Sequence, residues 1–391
     1  MKLQGVRVLD LSMYLPGPHL TMTMADHGAE VWRIEPPGEG EPNRNIGWKE
    51  SGESVYFRNT HRGKRSVVLD LKNDQARELF MRLAEKSDVV VESFRTGVVK
   101  RLGIDYDAVA RRAPHIVYCS ISAFGQTGPL AGRVAHDIAV EAQAGVASLT
   151  IGQDGKPTLP AIAMADMAVS LTALSGILMA LFRARETGNG DYIDLSMQDA
   201  LMAWTPNITG RVFAEKQPPQ PRLERTWGGN ALYNLYETAD GKWIALAGNE
   251  HKFARNLFEA LQRPDLIDAA IGPPGEGQRA VTEFLRETFV ARTMAEWERW
   301  FDGKDVAWGR VLDLREAFDH PHVAARGMRL VDDRGREHIG APIRFRQESA
   351  RPTFGAPGLG EGNEAAARLA GYDGAGVEAL RASGAFGAKA D

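Results

Sequence analysis

The sequence feature that most constrains the fold is an alternation of short β-branched runs with helix-like segments along the first third of the chain. Residues 19–27 and 74–86 read as helices, the second with Asn73 as a candidate cap, and they separate strand-like runs. Strands separated by helices form βαβ units, whose strands pair in parallel. The sequence therefore predicts an α/β fold with a mostly parallel sheet. The predicted strands are residues 6–11, 30–34, 66–71, 88–92 and 115–121, with residues 191–195 as a further candidate.

The pattern changes after a proline-rich polar stretch at residues 217–222. Residues 233–237 and 243–247 flank Asp240-Gly241 and predict a hairpin, and helix-like segments follow at 253–261 and 281–301. A further helix is predicted at 364–370, with Asn363 as its cap. These observations predict a large domain over residues 1–210 and 325–391, a linker at 211–224, and a small α+β domain at 225–320.

Composition excludes several classes of protein. With 391 residues and 43% hydrophobic content, the chain is long enough for two cores, and its net charge of −4 gives no general affinity for nucleic acid. The single cysteine, Cys119, supports neither a disulfide framework nor a cysteine-rich metal site, and no metal is predicted. The apolar run 164–182 contains Asp166 and several hydroxyl residues, which favours a buried helix over a membrane span. We expect a cytoplasmic protein without membrane association.

The ends of the predicted strands carry candidate ligand-binding residues. Ligands bind at the carboxyl ends of parallel strands, where the loop Ser12-Met13-Tyr14-Leu15-Pro16-Gly17-Pro18 leads into a helix. Basic side chains near other strand ends would suit a ligand with several phosphates, although a solvated surface is the ordinary role of such residues. The basic candidates are Arg62, Lys64, Arg65, Lys72, Arg95 and Arg101.

Three titratable residues are candidates for catalysis. Asp166 stands among small apolar residues, so burial would raise its pKa and suit it to nucleophilic or acid–base chemistry. The alternative is a helix N-cap that accepts the N–H of Val169. His136, followed by Asp137, could be a base or a surface residue at a helix start. Glu250 could be a site residue or an acid that complements a helix dipole.

Across nearly its full length the sequence resembles the family III CoA-transferases, the CaiB/BaiF group, which includes formyl-CoA transferase, carnitine CoA-transferase and α-methylacyl-CoA racemase. The segments that carry the resemblance are VLDLS…PGP (8–18), ADHGAEVWRIEPPG (25–38), NTHRGKRSVVLDLK (59–72), VVVESF (89–94), SAFGQTGP (122–129), ARETGNGDYIDLSMQDA (184–200) and LYETADGKWIAL (235–246). The resemblance implies a Rossmann-like large domain built from both chain ends, a small domain in the middle, and an interlocked homodimer.

The resemblance also assigns roles to residues. Phe94 and Arg101 match positions that hold the CoA nucleotide, and the loop at Tyr14, Leu15 and Pro16 matches contacts near the thioester. We therefore expect a CoA thioester as substrate and no permanently bound cofactor. The full set of expected CoA-binding residues is Tyr14, Leu15, Pro16, Arg65, Lys72, Phe94, Arg95, Arg101 and Asp137.

Two reactions remain open within this family. In its transferases the aspartate that matches Asp166 attacks an acyl-CoA thioester, and a carboxylic acid completes the exchange. In its racemases the same aspartate and a histidine matching His136 form an acid–base pair that a glutamate matching Glu250 supports. Transferase-like features at residues 52–57 and 141–145 lead us to expect a CoA-transferase, with the 2-methylacyl-CoA racemase as the alternative.

Overall fold

The structure is a computed structural model that describes residues 1–152 and 154–387. Residues 388–391, the end of the predicted large domain, lie outside this range. The strands in chain order are β1 Arg7–Asp10, β2 Glu30–Glu35, β3 Lys49–Glu50, β4 Glu53–Ser54, β5 Arg65–Val68, β6 Val89–Glu92, β7 Val117–Ser122, β8 Tyr192–Ser196, β9 Tyr233–Glu237, β10 Trp243–Ala247, β11 Trp308–Arg310, β12 Arg329–Val331 and β13 Glu337–Ile339.

The helices connect and cover these strands. They are α1 Pro16–Asp26, α2 Val55–His61, α3 Asp74–Ala84, α4 Val98–Leu102, α5 Tyr106–Ala110, α6 Asp137–Gln143, α7 Met164–Thr187, α8 Met197–Met202, α9 Gly210–Glu215, α10 His251–Ala260, α11 Ile267–Ala270, α12 Arg279–Phe289, α13 Met294–Phe301, α14 Leu314–Asp319, α15 Pro321–Ala325, α16 Asn363–Leu369 and α17 Gly374–Ala382.

Packing divides the chain into two compact units. The first contains Met1–Ala147, Leu159–Trp204 and the chain from Pro321 onward, and the second contains Ser148–Thr158 and Thr205–His320. The segment Ser148–Thr158 and helix α9 thus belong to the second unit. The sequence-based division had placed that segment in the large domain and α9 at the large-domain and linker boundary.

A six-stranded parallel sheet forms the centre of the first unit, in the order β5-β2-β1-β6-β7-β8. Side chains alternate between its faces, so Leu9 and Val8 of β1 enter different hydrophobic cores. Helices α16 and α17 contribute Ala366 and Val377 to the core that contains Leu9, while α7 contributes to the other. Both ends of the chain therefore build one α/β layer structure, and the predicted fold class is confirmed.

Helix α7 is the one helix of the described residues that is long and apolar enough to cross a membrane by length and composition. One side of it packs against the sheet through residues such as Ala165, Val169 and Ile177. An opposite stripe is exposed, with Met179 at 69% and Phe182 at 72% of their full exposure. The helix is thus a core helix of the first unit that also presents an apolar surface.

The second unit is built on the three-stranded antiparallel sheet β11-β10-β9. Gly241 has a φ of 72°, which the predicted Asp-Gly turn between β9 and β10 requires. Helices α10, α12 and α13 cover the sheet with Leu257, Leu285 and Trp297. The predicted continuous helix over 281–301 is wrong, because Thr293 forms a capping box with Glu296 and starts a new helix.

The predicted helix caps had different outcomes. Asn73 caps α3 by accepting the N–H groups of Gln75 and Ala76, as predicted. Asn363 does not cap α16, because the helix already includes it and Gly362 occupies the cap position. Its side-chain oxygen instead accepts the N–H of Val68, which ties α16 to the edge strand β5.

Candidate active site

Asp166 lies in the first turn of α7, and the N-cap position is occupied by Ala163. The alternative of Asp166 as the helix cap is therefore wrong. Ala163 has no side-chain oxygen to offer, so the N–H groups of the first turn need acceptors from elsewhere. Helix α6 provides them: Asp137 Oδ1 accepts from the N–H of Asp166 at 3.0 Å, and Glu141 Oε1 accepts from the N–H of Met164 at 3.1 Å.

This capping arrangement surrounds Asp166 with negative charge. Burial, followed by the charges of Asp137 and Glu141, raises the pKa of Asp166 from 3.8 to about 7. The direction of this shift is the one that the apolar sequence context predicts. A carboxyl group with such a pKa is present in both protonation states near neutral pH, which suits a nucleophile or a proton carrier.

Tyr56 of α2 also belongs to the surroundings of Asp166. Burial and then the negative charge of Asp166 raise the pKa of its phenol above the ordinary value, while a hydrogen bond with Asn43 opposes that shift. The phenol therefore stays protonated at neutral pH and is available as a hydrogen-bond donor. The sequence marks Tyr56 only as part of the transferase-like segment 52–57 and assigns it no role, because α2 was not predicted.

The loop between β1 and α1 brings Tyr14 to His136. The two rings meet edge to face with their centroids 5.5 Å apart. Tyr14 has a φ of 64°, and its backbone is fixed because its N–H donates to Glu41 Oε1 at 2.9 Å and its carbonyl accepts from Asn43. His136 is exposed at the N-cap position of α6, directly before Asp137. The structure thus brings Tyr14, His136, Asp137 and Asp166 into one region.

Close packing also fixes the rest of this loop. Leu15 occupies the N-cap position of α1, and Pro16 starts the helix, where its missing N–H costs nothing. A Cβ on Gly17 would lie 2.1 Å from Ser12 Oγ, so only glycine fits there. Leu15 and Pro16 therefore lie at the carboxyl end of β1, as predicted.

A buried ionic network lies beneath the loop. Asp10 accepts hydrogen bonds from Lys64 at 2.9 Å, Thr21 at 2.7 Å and Arg33 at 3.2 Å, and Arg33 also pairs with Glu41. Burial alone would raise the pKa of Asp10, but Lys64 and Arg33 hold it well below its ordinary value. Lys64 Nζ also donates to the carbonyl of Pro18 at 2.9 Å. The network anchors the loop, and the Lys64 ammonium is used within the network.

Two other basic candidates lie away from the ligand edge of the sheet. Arg62 forms a buried ion pair with Asp26 at 2.6 Å. Arg65 is the first residue of β5, at the amino end of the strand, and its guanidinium lies over the ring of Trp32. The structure therefore does not bring Arg62 or Arg65 to the carboxyl edge of the sheet.

A largely apolar cavity of about 240 Å³ opens at the carboxyl ends of β1, β2, β5 and β6. Met13, Lys72 and Phe94 are among the residues that line it, whereas Arg95 and Arg101 are exposed on the turn after β6 and on α4. Ser93 Oγ accepts the N–H of Met13 at 2.8 Å, so the loops after β1 and β6 are joined beside the cavity. An apolar cavity with basic side chains nearby is suited to a heterocyclic base carrying phosphates.

A buried carboxyl supports this side of the cavity. Glu92 accepts the N–H of Phe94 at 2.7 Å, and burial raises the pKa of Glu92 to about 7. Glu92 therefore positions the turn that carries Phe94.

Glu250 lies in the second unit. It is exposed at the N-cap position of α10 and makes no side-chain capping bond there. Among the described residues, 1–152 and 154–387, no three His, Cys, Asp or Glu side chains are grouped so that they could hold a metal ion.

Comparison with known proteins agrees with this geometry. The sequence model described as CoA-transferase family III matches residues 3–363. This chain belongs to CoA-transferase family III. It is 30% identical over 362 residues to succinyl-CoA:glutarate CoA-transferase of Homo sapiens, spanning 90% of this chain and 82% of that protein. It is 33% identical over 341 residues to alpha-methylacyl-CoA racemase of Homo sapiens, spanning 85% of this chain and 84% of that protein.

The fold of this family III member is also found in solved structures. A CAIB/BAIF family protein from Brucella suis superimposes with a TM-score of 0.81 at 29% identity, over 94% of this chain and 99% of that one. The chain is thus an enzyme of the family III CoA-transferases, with racemisation as the alternative chemistry among its relatives, and CoA thioesters are the substrates of the family.

Glu141 is another site residue that the sequence marks only as part of a transferase-like segment. Its spacing contained a usable signal. Asp137 and Glu141 are four residues apart, which places both carboxyl groups on one face of a helix if the segment is helical. A helix start at His136 is only the alternative for that residue in the sequence, so the spacing of the two acids was not used.

Proposed function

We propose that this family III enzyme transfers CoA between an acyl-CoA thioester and a carboxylic acid, with Asp166 as the nucleophile. The observation that carries the proposal is the arrangement at the start of α7. Asp137 and Glu141 occupy the first N–H groups of the helix, so the carboxyl group of Asp166 is not used for capping. Its pKa of about 7 provides the nucleophilic carboxylate at neutral pH.

The reaction proceeds by two exchanges at the Asp166 carboxyl. An oxygen of Asp166 attacks the thioester carbonyl and the C–S bond breaks. CoA thiolate departs, and the acyl group remains on Asp166 as a mixed anhydride. The thiolate then attacks the Asp166 carbonyl carbon, which releases the donor acid and leaves an enzyme–CoA thioester. The acceptor carboxylate reverses both steps and departs as the new acyl-CoA. Holding the thioester against the carboxylate compensates for the weak nucleophile through proximity.

The CoA nucleotide is proposed to occupy the cavity after β1, β2, β5 and β6. Lys72, Phe94 and Leu102 line it. Arg95 and Arg101, which adjoin Phe94 and Leu102 in the sequence and are exposed, are the proposed phosphate contacts. Tyr14, Leu15, Pro16 and Asp137 would then lie toward the thioester. Arg65 has no support in this role, since it begins its strand at the other end.

The proposed acceptor is a small carboxylic acid, and the proposed donor is the CoA thioester of another small carboxylic acid. A short dicarboxylic acid is the acceptor class to test first, because the human relative is named for succinyl-CoA and glutarate.

Trapping with hydroxylamine tests the covalent mechanism. Enzyme incubated with acyl-CoA and then hydroxylamine should carry a hydroxamate on the peptide that contains Asp166, detected by mass spectrometry. Asp166→Asn should give none, whereas Asp199→Asn, an exposed carboxylate on α8, should be labelled like the unaltered enzyme. Rapid transfer without any hydroxamate on Asp166 would contradict the covalent mechanism.

A second function, racemisation of a 2-methylacyl-CoA, is supported by the arrangement of His136 beside Tyr14 and directly before Asp137. In that reaction His136 and Asp166 exchange a proton with the α-carbon, and Glu250 is the proposed support for His136. Deuterium incorporation at the α-carbon in D₂O measures it. His136→Ala should abolish that incorporation if racemisation is the reaction, and should leave an Asp166-dependent CoA transfer largely intact if transfer is.

We further propose a cytoplasmic homodimer, interlocked as the resemblance implies. The support for a second copy is the exposed apolar stripe on α7, where Leu171, Leu178, Met179 and Phe182 repeat at helical spacing. Phe182→Glu should lower the mass measured by light scattering to that of one chain. Arg183→Ala, an exposed neighbour on the same helix, should leave the mass unchanged.

A further inference from the structure

Glu141 is a buried carboxyl group that the transfer scheme does not use. It has 0% exposure, and its Oε1 accepts the N–H of Met164 at 3.1 Å. Its other oxygen, Oε2, is buried without a hydrogen-bond partner among the residues that the structure describes. A buried carboxylate oxygen without a donor is costly, and a proton on that oxygen removes the cost.

The groups that face Glu141 are acids. Asp137 precedes it by one turn of α6, and its Oδ1 already accepts the N–H of Asp166. Asp166 faces it from α7, and the carboxylate on α8, Asp199, is exposed. Within the described part of the chain, no cation contributes to holding either Glu141 or Asp166 in its charged form. Burial and then the neighbouring Asp137 carboxyl raise the pKa of Glu141 to about 7.

We propose that Glu141 is a positioning residue for Asp166: one oxygen anchors the first turn of α7, and the other holds a proton toward Asp137. The inference rests on the proposed role of Asp166 as the nucleophile. With that proton in place, Glu141 adds no negative charge beside Asp166. When the proton is lost, Glu141 adds one negative charge, and Asp166 then retains its own proton more tightly.

The consequence is a coupled titration. Asp166 and Glu141 lose their protons over the same pH range, and the acid limb of the rate profile belongs to both groups. Glu141 thus adjusts the pH at which the nucleophile becomes available.

Glu141→Gln separates this role from simple support of the fold. The amide oxygen can still accept the N–H of Met164, and the amide nitrogen can donate to Asp137, but the side chain cannot ionise. We expect the acid limb of kcat/KM to move about one pH unit lower, which is up to about tenfold in rate on that limb. The limb should also take the shape of a single ionisation. Asp199→Asn should leave the profile unchanged, since its carboxylate is solvated.

An activity-independent measurement tests the same point. The infrared band of the protonated Asp166 carboxyl can be followed in protein labelled with ¹³C-aspartate. Subtracting the spectrum of Asp166→Asn, made both with Glu141 and with Gln at position 141, isolates this band. The band should disappear at a lower pH in Glu141→Gln than in the unaltered enzyme. An unchanged midpoint would overturn the proposal. A lowered midpoint in protein that lacks CoA transfer would support it while refuting the proposed function.

A second variant covers loss of the anchor. Glu141→Ala removes both the acceptor for Met164 and the proton, so kcat should fall at every pH, and Gln at this position should restore it. If Gln fails to restore kcat although its circular dichroism matches the parent, the anchoring role is refuted.

Discussion

Two regions of the first unit hold several carboxyl groups each, with opposite consequences. Beneath the loop after β1, Asp10 is enclosed by Lys64 and Arg33, and the pKa of Asp10 lies below its ordinary value despite complete burial. At the start of α7, Asp166 faces Asp137 and Glu141, and its pKa rises to about 7. Burial disfavours charge on both aspartates, so Lys64 and Arg33 make the difference for Asp10.

The two regions have different roles: the network around Asp10 supports the fold, and the carboxyl groups at the start of α7 belong to the proposed reaction. The paired network fixes the backbone of Tyr14 and the carbonyl of Pro18, and its central ion pairs are fully buried. At the start of α7, the raised pKa values of Asp166 and Glu141 keep both carboxyl groups close to their protonation point at neutral pH, which suits a nucleophile. The same substitution of aspartate by asparagine should therefore have different effects in the two regions.

The largest effect should be the loss of activity in Asp166→Asn. An amide cannot form the anhydride, so we expect CoA transfer to fall by roughly 10⁴-fold or more. Initial rates of acyl-CoA formation, measured with circular dichroism to verify the fold, check this. Substantial CoA transfer by a folded Asp166→Asn enzyme would mean that another residue is the nucleophile. The contrast between a structural Asp10 and a reactive Asp166 would then fail.

The second effect is the loss of stability in Asp10→Asn. Removing this carboxylate leaves Lys64 and Arg33 buried with too little negative charge, which costs about 3–5 kcal/mol. Urea unfolding at pH 7 measures it, with Asp199→Asn as the exposed control. A loss below about 1 kcal/mol would mean that the network is not the rigid support that its burial indicates.

The strands and the main helices of the first unit were predictable because they follow local patterns. The runs at β1, β2, β5, β6 and β7 have strand composition, and Asn73 precedes a strong helical period. A proline-rich boundary and an Asp-Gly turn likewise mark the second unit, where β9 and β10 form the expected hairpin.

The charge environment was not predictable from local patterns. Asp10 and Lys64 are 54 residues apart, and nothing near Lys64 in the sequence distinguishes it from a phosphate-binding lysine. The same holds for Asp137 and Asp166, whose bond spans 29 residues. The apolar context of Asp166 predicted its burial, but only the tertiary structure shows which acids share the site.

The smallest effect should be a gain in stability from Asp166→Asn. The pKa of Asp166 is about 7 in the folded enzyme against an ordinary value of 3.8, so between these values the folded state binds the proton more tightly. Stability therefore falls as pH rises from about 4 to about 7, and the penalty is complete above 7. Asparagine carries no charge, so it should stabilise the fold at pH 8 by about 1 kcal/mol, a modest value because solvent screens a half-buried group.

Urea unfolding of both proteins at pH 8 and pH 5 tests this gain. The advantage of Asp166→Asn should shrink at pH 5, where the wild-type carboxyl is largely protonated, while the deficit of Asp10→Asn should persist, because Asp10 stays ionised there. An advantage that is independent of pH would mean that Asn packs better and that electrostatic repulsion does not disfavour the ionised Asp166. If aspartate-to-asparagine substitution instead stabilises the fold at Asp166 and destabilises it at Asp10, nearby cations decide whether a buried aspartate supports the fold or serves the reaction.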